Sequence, residues 1–207
     1  MRIFEIVADI IVILSLVYVA FILTLADWLS ALRRGQAVSL LPEHAGRSYP
    51  FWAQIGLVLL GLVIFAAMAY FLWIPLGTLP GQTAFILAVL GLVVYLAGCA
   101  FMLWARRSLG KMWGISTSRN VRLLDDHQIV QSGPYAYVRN PMYFGWWVAM
   151  LGLTMLYPVW MVLLMFLFSV YAFTGRARRE DAALAERFGQ AWTEYKKHTK
   201  YLIPFIF

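Results

Sequence analysis

Long apolar runs divided by short polar stretches set the plan of this chain. Apolar residues dominate roughly 3–25, 51–74 and 83–104. Each run is long enough to cross a bilayer as a helix rising about 1.5 Å per residue. A fourth apolar stretch covers about 143–173, and Pro158 divides it. Each arm has about fifteen residues, short of the roughly twenty that a crossing helix needs, so the pattern predicts a tight helical hairpin turning at Tyr157–Pro158. From about 176 to 199 the pattern becomes a single apolar stripe, with Leu184, Phe188, Ala191, Trp192 and Tyr195 at helical spacing. The predicted fold is therefore an all-α integral membrane protein. It has three full transmembrane helices, a helical hairpin that brings the membrane helices to five, and a C-terminal cytoplasmic amphipathic helix against the membrane face. One compact domain is expected, with transmembrane helices over 1–104 and the candidate chemistry over 105–207. The first run follows Arg2 and is too long for a cleaved leader, with no small-residue cleavage site behind it, so it is read as a membrane helix.

Composition supports this reading and adds an orientation. The chain is 62% hydrophobic and 13% charged over 207 residues, where a soluble domain is about a quarter charged. Of the 17 basic residues, loop 26–50 holds Arg33, Arg34 and Arg47, and link 75–82 holds none. Loop 105–142 holds six and the segment from 175 holds seven. Basic loops stay cytoplasmic, so the N-terminus is expected outside, with loop 105–142 and the tail together on the cytoplasmic side. The net charge of +7 then follows from topology and attraction to anionic membrane lipids. A nucleic-acid partner is not expected, because basic and aromatic residues do not interleave on a soluble face. Cys99 stands alone inside an apolar run, which excludes a disulfide within the chain. One cysteine with three scattered histidines makes no metal site. Gly56 with Gly61, or Gly91 with Gly98, would let helices approach closely.

Two features carry candidate chemistry. Residues 130–145, VQSGPYAYVRNPMYFG, form a polar loop in an otherwise apolar half, and irregular chain at membrane depth normally lines a cavity. The second is a pair of charges. Stepping back by fours along the tail stripe from Leu184 reaches Glu180 and then Arg176, so the apolar face begins with an ion pair. Arg ahead of Glu is the less favourable order on a helix, and a cation opposes the dipole at a helix start. Charges so placed near a membrane are a candidate site, with Arg176 and Glu180 as its catalytic residues.

The loop resembles the G-x-Y-x-x-x-R-[HN]-P-x-Y-x-G segment of the isoprenylcysteine carboxyl methyltransferase and phospholipid methyltransferase superfamily. RSLGKMW, DHQIV, RARRED, FGQAWTEYKK and the closing IPFI stand in the same order as in that superfamily, over about residues 95–207. The resemblance implies a membrane methyltransferase that uses S-adenosyl-L-methionine and acts on a lipophilic small molecule or lipid. It places the cofactor against His127, Gln128, Ile129, Val130, Tyr135, Asn140, Pro141, Met142, Tyr143 and Glu180, and the substrate against Arg176. A further cofactor contact would fall on Asn120. Asn140 stands where the eukaryotic enzymes have histidine; it keeps a donor and an acceptor but carries no charge. The RNPMY form resembles bacterial members, which implies a bacterial inner membrane with the active site on the cytoplasmic side.

The chemistry of the residues agrees with this. Glu180 can pair with the cofactor ammonium, and Asn140 with backbone amides can hold its carboxylate. Tyr135, Tyr143 and Trp146 can flank the adenine or face the sulfonium. A carboxylate acceptor needs no base, whereas an amine acceptor needs one, for which Glu180 or His127 would serve. Phospholipid amine N-methylation is thus the alternative within the class. A membrane reductase using NADPH, related to sterol reductases, is the alternative from another class. Against it, Gly145 is followed by Trp146 and Trp147, where the reductases commonly carry glutamate. No G-x-G-x-x-G follows a strand, so the soluble dinucleotide fold is not expected.

Overall fold

The computed structural model describes residues 2–18, 50–112 and 128–206. Its regular elements are α-helices: α1 (Arg2–Val17), α2 (Phe51–Leu72), α3 (Gly81–Leu109), α4 (Pro141–Leu156), α5 (Trp160–Phe188) and α6 (Gln190–His198). Short 3₁₀ turns cover Gly110–Met112 and Gly133–Ala136. Two compact units divide the chain, with the boundary at Gly61 inside α2. In the first unit α1 buries Ala8 and Val12, half-buries Phe4 and Ile11, and exposes most of its other apolar side chains. Every site residue described below lies in the second unit.

Three of the described helices are long and apolar enough to cross a membrane: Trp52–Leu72, Gly81–Leu109 and Trp160–Phe188. The turn at Tyr157–Pro158 separates α4 from α5 where the sequence predicts it. Its backbone is satisfied by the α2–α3 link. The Leu76 amide donates to the Pro158 carbonyl at 2.8 Å, and the Trp160 amide to the Ile74 carbonyl at 3.0 Å. Such pairing is required where no water is available.

The arms of this hairpin are unequal, which corrects the expectation of two short halves. The α4 helix has 16 residues and spans about 24 Å, while α5 has 29 and spans about 43 Å, more than the roughly 30 Å hydrocarbon core. The change to charged residues at 176 alters the surface of α5 but contains nothing that breaks its backbone. The helix therefore runs through Arg176 and Glu180 to Phe188. The break falls at Gly189, whose φ of +52° suits glycine. No single tail helix covers 176–199, and the break resets the helical phase. Beyond it Trp192 and Tyr195 are buried, but Ala191, expected on the same stripe, is exposed.

The α3–α4 contact is the tightest in the molecule's second unit. Gly91 and Gly98 on α3 face Gly152 and Gly145 on α4, each pair seven residues or two turns apart. A Cβ on Gly91 would lie 2.6 Å from the Leu156 backbone nitrogen, and one on Gly98 would strike the Ala149 backbone. Small residues at matched spacing let two membrane helices touch along their backbones, where dispersion replaces the hydrophobic drive that lipid cannot supply. Tyr95, Met102, Ala105 and Ala149 are buried along this seam. The seam holds the start of α4 against the end of α3, and the candidate loop leads directly into that start. At Gly56 and Gly61, by contrast, a Cβ would meet nothing within 4 Å among the described residues.

Candidate functional site

The loop acquires its shape from three local features. Gly133 adopts φ +61°, and a Cβ there would run into the Ser108 side chain, so the turn packs against the end of α3. Pro134 is the second residue of the 3₁₀ turn, which closes through the Tyr137 and Val138 amides onto the Pro134 carbonyl, both at 3.1 Å. Pro141 begins α4 at the first helical position, where a missing N–H has no intrahelical partner to lose.

Tyr143 therefore sits in the first turn of α4. Its ring stacks on Phe173 of α5 with centroids 5.1 Å apart, and Trp146, one turn on, meets the same ring edge-on at 5.8 Å. Phe173 and Glu180 are two turns apart on one face of α5. The stack thus aims the Tyr143 hydroxyl at the Glu180 carboxylate, and it donates to both oxygens at 2.8 Å. Arg176, one turn before Glu180, donates from Nε to Oε1 at 2.9 Å. The carboxylate is held at the meeting of two helices, beside an aromatic floor. The pair is partly open to solvent, with 40% of the Arg176 side chain and 24% of Glu180 exposed.

Tyr135 is buried beneath α6, and its carbonyl accepts a 2.6 Å bond from the Tyr195 hydroxyl. Burial pushes the Tyr135 hydroxyl well above its ordinary range; the charges of Tyr195 and Glu180 add to this, and Arg106 opposes it. It is a neutral donor at any physiological pH. Burial likewise pushes Tyr195 up to about 12, against the charge of Arg139 and a bond to Thr199.

Asn140 precedes α4 in the N-cap position but makes no capping bond. Its Nδ2 donates outward, to the Tyr201 carbonyl at 3.0 Å. Pro141 is buried and Met142 half-buried. Gln128, Ile129 and Val130 form irregular chain leading to the turn. Gln128 is exposed, and its amide lies 3.4 Å from Met112 Sδ. His127 and Asn120 lie outside the described residues. Tyr143, Arg176 and Glu180 are thus in direct contact, Tyr135 lies within electrostatic reach of Glu180, and Asn140 is tied to the C-terminal segment instead.

Sequence reasoning missed Phe173, Asp181 and above all Arg139. The Arg139 guanidinium donates to the Thr199 carbonyl at 2.8 Å and the Lys196 carbonyl at 3.4 Å, and its Nε lies 3.3 Å from Asp181 Oδ1. Its place beside Asn140 in the loop was the available signal; nothing local pointed to its partners.

Comparison with known proteins shows what the chain is similar to. The family model described as the isoprenylcysteine carboxyl methyltransferase (ICMT) family matches residues 89–186. The protein-S-isoprenylcysteine O-methyltransferase of Schizosaccharomyces pombe is 37% identical over 82 residues, 39% of this chain and 35% of the relative. The human protein of the same name is 32% identical over 83 residues, 40% of this chain and 29% of the relative. The solved eukaryotic intramembrane Ras methyltransferase ICMT superposes with a TM-score of 0.51 at 24% identity, covering 78% of this chain and 55% of that one. The chain spans about a third of the length of these curated relatives. Its apolar helices and this shared fold make it an integral membrane protein. The segment from 89 to 186, which carries Tyr135, Tyr143, Arg176 and Glu180, is the part of this chain that is similar to the isoprenylcysteine carboxyl methyltransferase family.

Proposed function

We propose that this chain is a membrane methyltransferase that takes its methyl group from S-adenosyl-L-methionine and delivers it to a lipophilic acceptor. The observation that carries the reading is the Tyr143–Glu180–Arg176 contact, set in the family-matched segment at the head of α4 and on α5. The residues present suit the cofactor. Glu180 supplies a carboxylate for its ammonium, and the Tyr143, Phe173 and Trp146 rings supply π-faces for adenine or a cationic sulfur. Asn140, with its amide on Tyr201, supports the loop and leaves the cofactor carboxylate to backbone amides and other donors.

When bound, the cofactor offers a methyl group on a positively charged sulfur, and transfer depends on alignment of the acceptor with it. Arg176 favours an anionic acceptor there. A guanidinium beside the acceptor attracts a carboxylate and repels an ammonium, so carboxyl O-methylation is preferred over phospholipid amine N-methylation. An isoprenylcysteine carboxylate, the acceptor in the names of the curated relatives, fits this chemistry. The helices over 1–104 form the membrane frame and 105–207 the catalytic half. The site faces the cytoplasmic side of a bacterial inner membrane, with His127 to Val130 completing the cofactor edge.

Isothermal titration of the purified protein with S-adenosylhomocysteine and with NADPH tests the reading. Binding of S-adenosylhomocysteine alone is expected; binding of NADPH alone would overturn it in favour of the reductase.

A further inference from the structure

We propose that Arg139 is a positioning residue that sets Glu180 in register with Tyr143 and Tyr135. It does so by tying the loop, the end of α6 and α5 into one clamp through Asp181. The inference rests on the methyltransferase reading, because Glu180 is taken as the cofactor contact.

The Arg139 side chain is only 12% exposed, and a guanidinium so enclosed is tolerated only when its charge is met. It is met from three directions. Nη1 donates to the Thr199 and Lys196 carbonyls, which α6 leaves unpaired at its C-terminal end. The Tyr201 ring lies 5.3 Å from the guanidinium carbon. Asp181 lies 3.3 Å from Nε, and its Oδ1 and Nε lack the alignment of a hydrogen bond, so the pull on α5 is chiefly coulombic. Lys196 approaches the other Asp181 oxygen at 3.9 Å.

Around this clamp the loop is stitched to the C-terminal segment. The Arg139 amide donates to the Lys200 carbonyl at 2.8 Å, and the Lys200 amide to the Tyr137 carbonyl at 3.0 Å. The Asn140 and Tyr195 bonds flank these, and Val138 and Leu202 are fully buried between the two segments.

The geometry explains why this matters for Glu180. Asp181 is the next residue on α5, so the two carboxylates project about 100° apart around the helix. Arg139 and Tyr143, on either side of Pro141, hold one each. A single tether at Glu180 would let α5 roll about its axis; a second on the adjacent residue fixes the roll. The same residue, through α6 and Tyr195, fixes the Tyr135 carbonyl. A purely structural ion pair would contribute stability alone, whereas a positioning pair acts on cofactor affinity through Glu180.

The test uses the full-length protein in detergent and three readouts: S-adenosylhomocysteine affinity, the thermal midpoint, and the rate of trypsin cleavage at Lys196, Lys197 and Lys200. Asp181→Asn keeps the shape and removes the pull. It should weaken S-adenosylhomocysteine by about tenfold with a midpoint within a few degrees of the parent, and add less than about threefold on top of Glu180→Gln. Arg139→Lys keeps the charge but not the two-carbonyl grip. It should restore most of the affinity lost in Arg139→Ala, while trypsin cuts the tail faster than in the parent. Parent-like affinity in Asp181→Asn, or full additivity with Glu180→Gln, would overturn the proposal. Should Arg139→Ala not fold, the Asp181→Asn result decides alone. A parent that binds no S-adenosylhomocysteine overturns the methyltransferase reading and this inference with it. A parent that binds while Asp181→Asn binds equally overturns this inference only.

Discussion

Neutralising Glu180 separates the roles of the two charges on α5. The carboxylate accepts from Tyr143 on both oxygens at 2.8 Å and from Arg176 on Oε1 at 2.9 Å. Glu180→Gln preserves the side-chain shape and one acceptor oxygen, so Tyr143 keeps a partner and its stacking on Phe173 is untouched. The Arg176 pair is lost, but that cation is 40% exposed and water takes it up, at a cost of about 1 kcal/mol or less. Folding should therefore survive. Toward a cofactor ammonium the change removes a charge-assisted hydrogen bond of about 1.5–3 kcal/mol, which corresponds to roughly a ten- to hundredfold weaker affinity. Arg176→Ala acts in the opposite sense on the same atom. It removes the cation that occupies Oε1, so cofactor affinity should hold within about threefold or tighten, while turnover falls if Arg176 orients an anionic acceptor. The assay is titration of S-adenosylhomocysteine into both folded variants, with turnover followed on a lipophilic carboxylate. Equal weakening by the two substitutions would show that Arg176 and Glu180 act as one structural pair and would refute the separate roles.

The glycine seam predicts a sharp contrast. Gly98→Leu forces a side chain into the Ala149 backbone and should destabilise by at least the 1–3 kcal/mol or so typical of overpacking, whereas Gly61→Ala meets nothing among the described residues and should stay within about 0.5 kcal/mol, both read by thermal unfolding in detergent. Tyr195 links stability to alkaline pH. Its hydroxyl ionises at about 12 in the fold against an ordinary 10.0, so the unfolded state loses the proton first and stability should fall as pH rises between those values. In Tyr195→Phe that part of the decline should vanish, and an unchanged profile would sink the assignment. The charge asymmetry of the loops predicts orientation: in a Cys99→Ala background, Gly77→Cys should label only from outside and Lys197→Cys only from the cytoplasmic side, and the reverse pattern would overturn the topology.

Sequence alone determined what depends on neighbours along the chain. Runs of apolar residues gave the membrane helices, because burying backbone in lipid leaves few options besides a helix. Pro158 marked the hairpin turn, since proline cannot continue a helix that enters it. The Arg176–Glu180 pair was legible because residues one turn apart meet on any helix. Where local signals were ambiguous, reading failed. The charges from 176 onward suggested a new helix, yet side-chain polarity does not interrupt a backbone, and only the left-handed Gly189 does.

Tertiary structure decided everything that joins distant segments. Gly61 and Gly98 look alike in sequence, but among the described residues only Gly98 has a partner helix pressed against it. Tyr143 reaches Glu180 across 37 residues, and Arg139 reaches the Thr199 carbonyl across 60. No periodicity encodes such distances. They arise because the α3–α4 seam fixes where α4 begins, the clasp at Pro158 fixes where α5 starts back, and the loop then packs on the C-terminal segment. Asn140 illustrates the difference most directly. The resemblance implies a cofactor contact there, and only the fold shows that its amide donates to the carbonyl of Tyr201, 61 residues away in sequence.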